Sequence, residues 1–184
     1  MFRKLRSWIL GYKIRKGWAP HGRTISKSNR NTGQIKIIGT LSAKVIRKDG
    51  KVEDLGIIAR KCVTTSGVNY LVDSFQDSTT FPMDVFKYHD SGTGIGAEDV
   101  GNTALETPCG EARDVGSQEE GASPNIFKTV AQHTYAGAFA ITEHGLFSAD
   151  TGGTLWDRSK FDPINVVAND KIEWTYELTC IPGG

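Results

Sequence analysis

The segment Lys171-Ile172-Glu173-Trp174-Thr175-Tyr176-Glu177-Leu178-Thr179-Cys180 alternates polar and apolar side chains without a break. Successive side chains on a strand point to opposite faces, so Ile172, Trp174, Tyr176, Leu178 and Cys180 form one buried face. Lys171, Glu173 and Glu177 mark the other face as wet. A sheet with one wetted face is antiparallel, because parallel sheets are covered on both sides and read as continuous apolar runs. The strongest periodicity in the chain therefore points to an antiparallel β protein.

Working outward, shorter runs repeat the pattern. Leu41, Ala43 and Val45 alternate with Ser42 and Lys44, and Asp49-Gly50 then separates them from a return strand over 51–59 that continues to Val63. A D-G pair between two such runs is a hairpin-turn signal. Further strands are expected over 84–89, 126–135, 138–147 (interrupted at Gly145) and 154–161, with a loop rich in Gly, Asp and Glu over 90–125. One helix is expected: Thr64, Thr65 or Ser66 supplies a cap oxygen, and Val68, Leu71, Val72 and Phe75 fall at i, i+3, i+4 and i+7 as its apolar face. Short strands, frequent turn residues and a single helix predict an all-β, mainly antiparallel sandwich of jelly-roll type over 35–184.

Residues 1–34 read differently, as a basic N-terminal arm. The first 48 residues hold 13 Lys/Arg and no acid, whereas residues 49–184 hold nine Lys/Arg and all 21 acids. A basic arm on an acidic body signals a partner, either a polyanion or the acidic surface of another protein, including a neighbouring copy. Phe2, Leu5, Ile9 and Tyr12 recur at helical spacing among Arg3, Lys4, Arg6, Lys13, Arg15 and Lys16, which fits a short basic amphipathic helix ended by Pro20 and Gly22. Trp, Tyr and Arg dominate the energetics of protein interfaces. Phe2, Arg3, Arg6, Trp8, Tyr12, Arg15 and Trp18 are therefore the expected partner-binding residues. The same aromatics among cations could stack on nucleic-acid bases, and that alternative stays open.

No catalytic, metal or cofactor site is expected. Gly92-Thr93-Gly94-Ile95-Gly96 lacks the Lys-Ser/Thr and the helix of a phosphate loop and reads as a turn. His89-Asp90 and Glu143-His144 are neighbours in sequence, but on strands neighbours face opposite ways. His21, His89, His133 and His144 lack metal-ligand spacing. The three cysteines, Cys62, Cys109 and Cys180, form neither a disulfide framework nor a zinc pattern. Ser91, Ser117 and Ser123 lack a nucleophile elbow, and no calcium loop occurs among the acids at 98–120. No run approaches the ~20 apolar residues of a membrane span, and Ser7-Trp8-Ile9-Leu10 is too short for the apolar part of a secretion signal.

An ordered series of motifs carries a resemblance. Val63–Phe75, Lys87-Tyr88-His89-Asp90-Ser91-Gly92-Thr93-Gly94, Asp99 with Thr103–Glu106, Glu120–Ile126, Ile141–Phe147, Gly152–Arg158 and the terminal strand follow one another. Over about residues 36–184 this resembles a family of tailed-bacteriophage virion structural proteins. The resemblance implies a late-expressed, non-enzymatic, many-copy particle component located in the virion. The expected role is a capsid decoration or cement protein that bridges the major capsid protein and neighbouring copies of itself as a homo-oligomer. The alternatives are a tail, connector or fibre-associated protein, and a nucleic-acid-binding protein. The arm suits such bridging, because ~30 extended residues span up to roughly 100 Å.

Overall fold

The alternating segment becomes β9 (Lys171–Pro182), the central strand of a five-stranded antiparallel sheet. The structure is a computed structural model that describes residues 34–61 and 63–183. Residues 33–184 form one compact unit by themselves. On one side of β9 runs β1 (Ile35–Ile46), which pairs in turn with β2 (Val52–Lys61). On the other side runs β6 (Ile126–Thr134), bordered by the two-residue β5 (Glu119–Glu120). A second, four-stranded sheet has the order β4 (Asp114–Val115), β3 (Tyr88–Gly92), β7 (Phe139–Phe147) and β8 (Leu155–Val166). Two antiparallel sheets packed together make the expected sandwich. The strand order goes no further toward a jelly roll.

The core lies between the sheets, where Ile172, Trp174 and Tyr176 of β9 join Leu41 and Val45 of β1, with Leu146 and Trp156 from the other sheet. The indole Nε1 of Trp156 donates to the Tyr176 hydroxyl at 3.1 Å, so two polar-tipped rings satisfy each other across the sandwich. Cys180 departs from the expected buried face and is exposed. The strand has by then run past the core and pairs its backbone with Asn125.

Several boundaries differ from the sequence reading. Residues 83–85 form a 3₁₀ turn and β3 starts only at Tyr88, because Pro82 leads into a tight turn closed by the Lys87 amide on the Val85 carbonyl. β7 continues through Gly145, which is paired on both sides, with Asp90 and with Arg158. β8 extends to Val166 with register shifts against β7, the largest opposite Ile141–Glu143 where β8 carries Pro163. An edge strand tolerates such a bulge and a proline.

The helix α1 (Thr65–Gln76) is capped by Thr64, whose side chain accepts from the Gly67 amide. Its inward face is not the expected one. Val68, Val72 and Phe75 are 44%, 52% and 83% exposed, while Gly67 is buried and Tyr70 and Leu71 pack on the core. The cap decides this. The Thr64 and Ser66 hydroxyls both donate to the Leu155 carbonyl, pinning the first turn to β8. Gly67 then sits so close to Trp156 that a Cβ would come within 3.0 Å of its carbonyl oxygen. Tyr70 follows on that face and meets Phe81 and Phe86 edge-on.

Candidate functional site

The glycine-rich loop after β3 is the first place to look for an anion site. Its amides do converge on an anion, and the anion is the protein's own Glu143. This fully buried carboxylate accepts from the amides of Gly94 (3.1 Å), Glu106 (3.0 Å) and Thr107 (2.8 Å) and from Arg158 Nε (2.7 Å). A Cβ on Gly92 or Gly94 would come within 2.5 Å of Glu143 Oε1, so the glycines are there for close approach. Arg158 spends its remaining donors on the Ala97 and Gly96 carbonyls, Asn102 Oδ1 and Glu106. Burial pushes the Glu143 carboxyl up, but the Thr107 amide, the Arg158 guanidinium and the Glu106 amide outweigh it and hold it below the usual carboxylate range. The pair folds the loop over the outer face of the four-stranded sheet, where Leu105 packs with Phe147 and Leu155.

Between the sheets, Thr129 Oγ1 lies 3.0 Å from His89 Nε2, and His89 Nδ1 lies 3.0 Å from His144 Nε2. Hydroxyl, base and orienting group stand in the order of a nucleophilic relay. Access and basicity are both missing. Thr129 and His144 have no exposed surface and His89 has 1%. A Cβ on Gly116 would come within 2.3 Å of the Thr129 hydroxyl, so backbone seals the spot. Burial pushes the His89 imidazole down to about 3. Burial, then repulsion from His89, drives His144 well below its usual value. A useful general base titrates near the working pH. The chain therefore reads as a neutral polar core network in which His144 stacks at 4.9 Å on Trp174.

Nearer the surface, His133 bridges Asp114 through Nδ1 and Glu111 through Nε2. Burial pulls this imidazole down, but the two carboxylates outweigh it and raise it overall. Arg113 donates to Asp90 at 3.1 Å and to the Ala149 and Gly152 carbonyls at 2.7 Å, and its guanidinium stacks 3.4 Å from the Phe147 ring centre. Cys109 beside Ser91 is pushed up to about 11, chiefly by burial, which leaves it a thiol. Among the described residues no group of three or more His, Cys, Asp or Glu could hold a metal ion.

Two apolar stripes on the surface are open to a partner. The outer stripe of α1 exposes Val68, Val72 and Phe75, and Val100 follows at the helix start, where its carbonyl accepts from the Thr65 amide. Strand β2, an edge of the five-stranded sheet, exposes Val52, Leu55 and Ile57. It carries two register shifts against β1 and a left-handed Gly56, devices that twist an edge away from indiscriminate pairing.

The expected partner-binding residues Phe2, Arg3, Arg6, Trp8, Tyr12, Arg15 and Trp18 lie outside the described residues. The neighbour rule for His89-Asp90 and Glu143-His144 holds: each pair splits to two faces. Sequence reading missed that the same residues find distant partners, His89 with His144, Asp90 with Arg113 and Glu143 with Arg158. No family model matches the chain, and no curated protein is significantly similar to it. No helix among the described residues is long and apolar enough to cross a membrane.

Proposed function

We propose that this chain is a non-catalytic structural protein of a bacteriophage particle, a head decoration protein that bridges major capsid subunits. The observation that carries the reading is the charge split: nine Lys/Arg and no acid in residues 1–33, against an excess of acid in the rest. A segment of this kind, interleaved with Phe2, Trp8, Tyr12 and Trp18, is built to hold a partner. Its counterpart is a sandwich whose buried Glu143, Arg158 and His89 are spent on internal bonds and whose apolar stripes face outward. Supporting it is the resemblance of residues 36–184 to virion structural proteins.

The test is immunoelectron microscopy of purified particles with antibodies against residues 49–184. Label spread over the head is the expected result. Label confined to the tail would replace decoration by a tail or connector role, and absence of surface label would overturn the reading. Deleting residues 1–34 is expected to leave a folded sandwich that no longer binds heads. Full-strength binding by the truncated chain would remove the arm from the interface. Retention on nucleic acid that falls steeply with salt would instead mark a polyanion-binding arm.

A further inference from the structure

The outward stripe of α1 is an apolar face with an unusual electrostatic setting. Residues 63–112 carry eight acids against one base, Lys87. Asp73 lies in the last turn of α1 and Asp77 is its C-cap residue, while no basic residue occupies that turn. A helix C-terminus already presents negative charge, so acids there are unfavourable and cations favourable. Asp77 stays ionised, its carboxyl lowered by the Thr80 hydroxyl and by the Thr80 and Thr79 amides. Beside these charges stand Val68, Val72 and Phe75, the last 83% exposed.

This pattern discriminates between occupants. Two copies of the α1 face set parallel would oppose acid to acid and like dipole ends, and neither orientation of two α1 helices brings a side-chain cation to Asp73 and Asp77. A segment with apolar anchors flanked by Lys and Arg would cover the stripe and also neutralise the helix end. Residues 2–18 of this chain have that composition: Phe2, Leu5, Trp8, Ile9 and Tyr12 among six Lys/Arg, with no acid. We infer that the Val68–Val72–Phe75 stripe of α1 is the acceptor for the basic amphipathic N-terminal segment of a second copy, linking copies head to tail. A heterologous contact of this kind propagates into rings or open chains rather than stopping at a twofold dimer. The inference rests on the reading of the chain as an assembling structural protein and adds the surface through which copies join.

Sedimentation equilibrium of the full chain tests it. Self-association is expected at low salt and should weaken as salt rises, because screening removes attraction between exposed charges. Phe75→Ser is expected to weaken association roughly tenfold or more, as for an interface anchor. Val72→Ser should act in the same direction. Both side chains are exposed, so urea unfolding of the variants should match the parent and separate lost docking from lost folding. A synthetic peptide of residues 2–18 should compete, and a scrambled peptide of the same composition should not. Association undiminished by both substitutions, or equal competition by the scrambled peptide, would overturn the inference. A parent chain that stays monomeric would overturn it too, while head labelling of particles would still stand. Self-association that behaves as expected with no labelling of particles would refute the particle role and keep the α1 contact.

Discussion

Replacing Glu143 with Ala removes the anchor that holds the 93–107 loop on the outer face of the four-stranded sheet. The carboxylate serves the Gly94, Glu106 and Thr107 amides and Arg158, all within 3.1 Å, and the Arg158 side chain is only 3% exposed. Truncation leaves the buried Arg158 with the half-exposed Glu106 at 3.3 Å as its remaining carboxylate and removes the common acceptor of three amides. Removing one partner of a buried ion pair costs roughly 3–5 kcal/mol, a large share of the about 5–15 kcal/mol that holds an ordinary domain together. At roughly 2–4 °C per kcal/mol for a chain of this size, Tm should fall by about 6–20 °C. Urea unfolding followed by Trp fluorescence measures the loss. Hydrogen exchange at the Gly94, Glu106 and Thr107 amides reports whether the loop detaches first. The double variant Glu143→Met with Arg158→Met should recover a substantial part of the stability, because the cost lies in the orphaned charge. A single-variant loss under about 1 kcal/mol, with those amides still protected, would refute the assignment of Glu143 as the loop's anchor.

Acid should destabilise the protein through its core histidines. His89 and His144 are held neutral, so below the unfolded value near ~6.5 the unfolded chain takes up protons that the folded one refuses, at roughly 2 kcal/mol per histidine between about pH 7 and 5. Urea midpoints should fall over that range, and a flat profile would contradict the buried network. His133 has the opposite sign: its raised value adds stability that is full below the unfolded value and lost as pH rises through the folded one, and His133→Gln should flatten the alkaline side of the profile. Thr64→Ala, which loses the α1 cap and a bond to the Leu155 carbonyl, should cost roughly 1–2 kcal/mol by denaturant titration. Gly67→Val should cost about 1–3 kcal/mol by forcing α1 off Trp156, and a neutral result would mean the helix can lift freely.

Much of the sandwich could be read directly because strand alternation is a local property. Ile172, Trp174 and Tyr176 are buried in the chain's own rhythm, and β9 is central as well as alternating. The four-stranded sheet was harder to delimit. β7 is covered on both faces, by the other sheet and by the loop over Phe147 and Leu105, so residues 141–147 are buried without alternating. Of the expected α1 face, Leu71 packs on the core while Val68, Val72 and Phe75 turn outward, because helical spacing fixes only which residues share a face and not which face turns inward.

The sequence by itself determined the antiparallel strands, the capped helix α1, the turn at Asp49-Gly50 and the division of charge between arm and body, since each follows from residues within a few positions of one another. Only the tertiary structure decided the rest. It set Glu143 against Arg158 and its three amides, His89 against His144 and Thr129, and His133 between Asp114 and Glu111. It also turned the apolar stripe of α1 outward, through the hold of Thr64 and Ser66 on Leu155. These are contacts between residues far apart in the chain, and their energies come from burial and from the closeness of backbones, neither of which local sequence specifies.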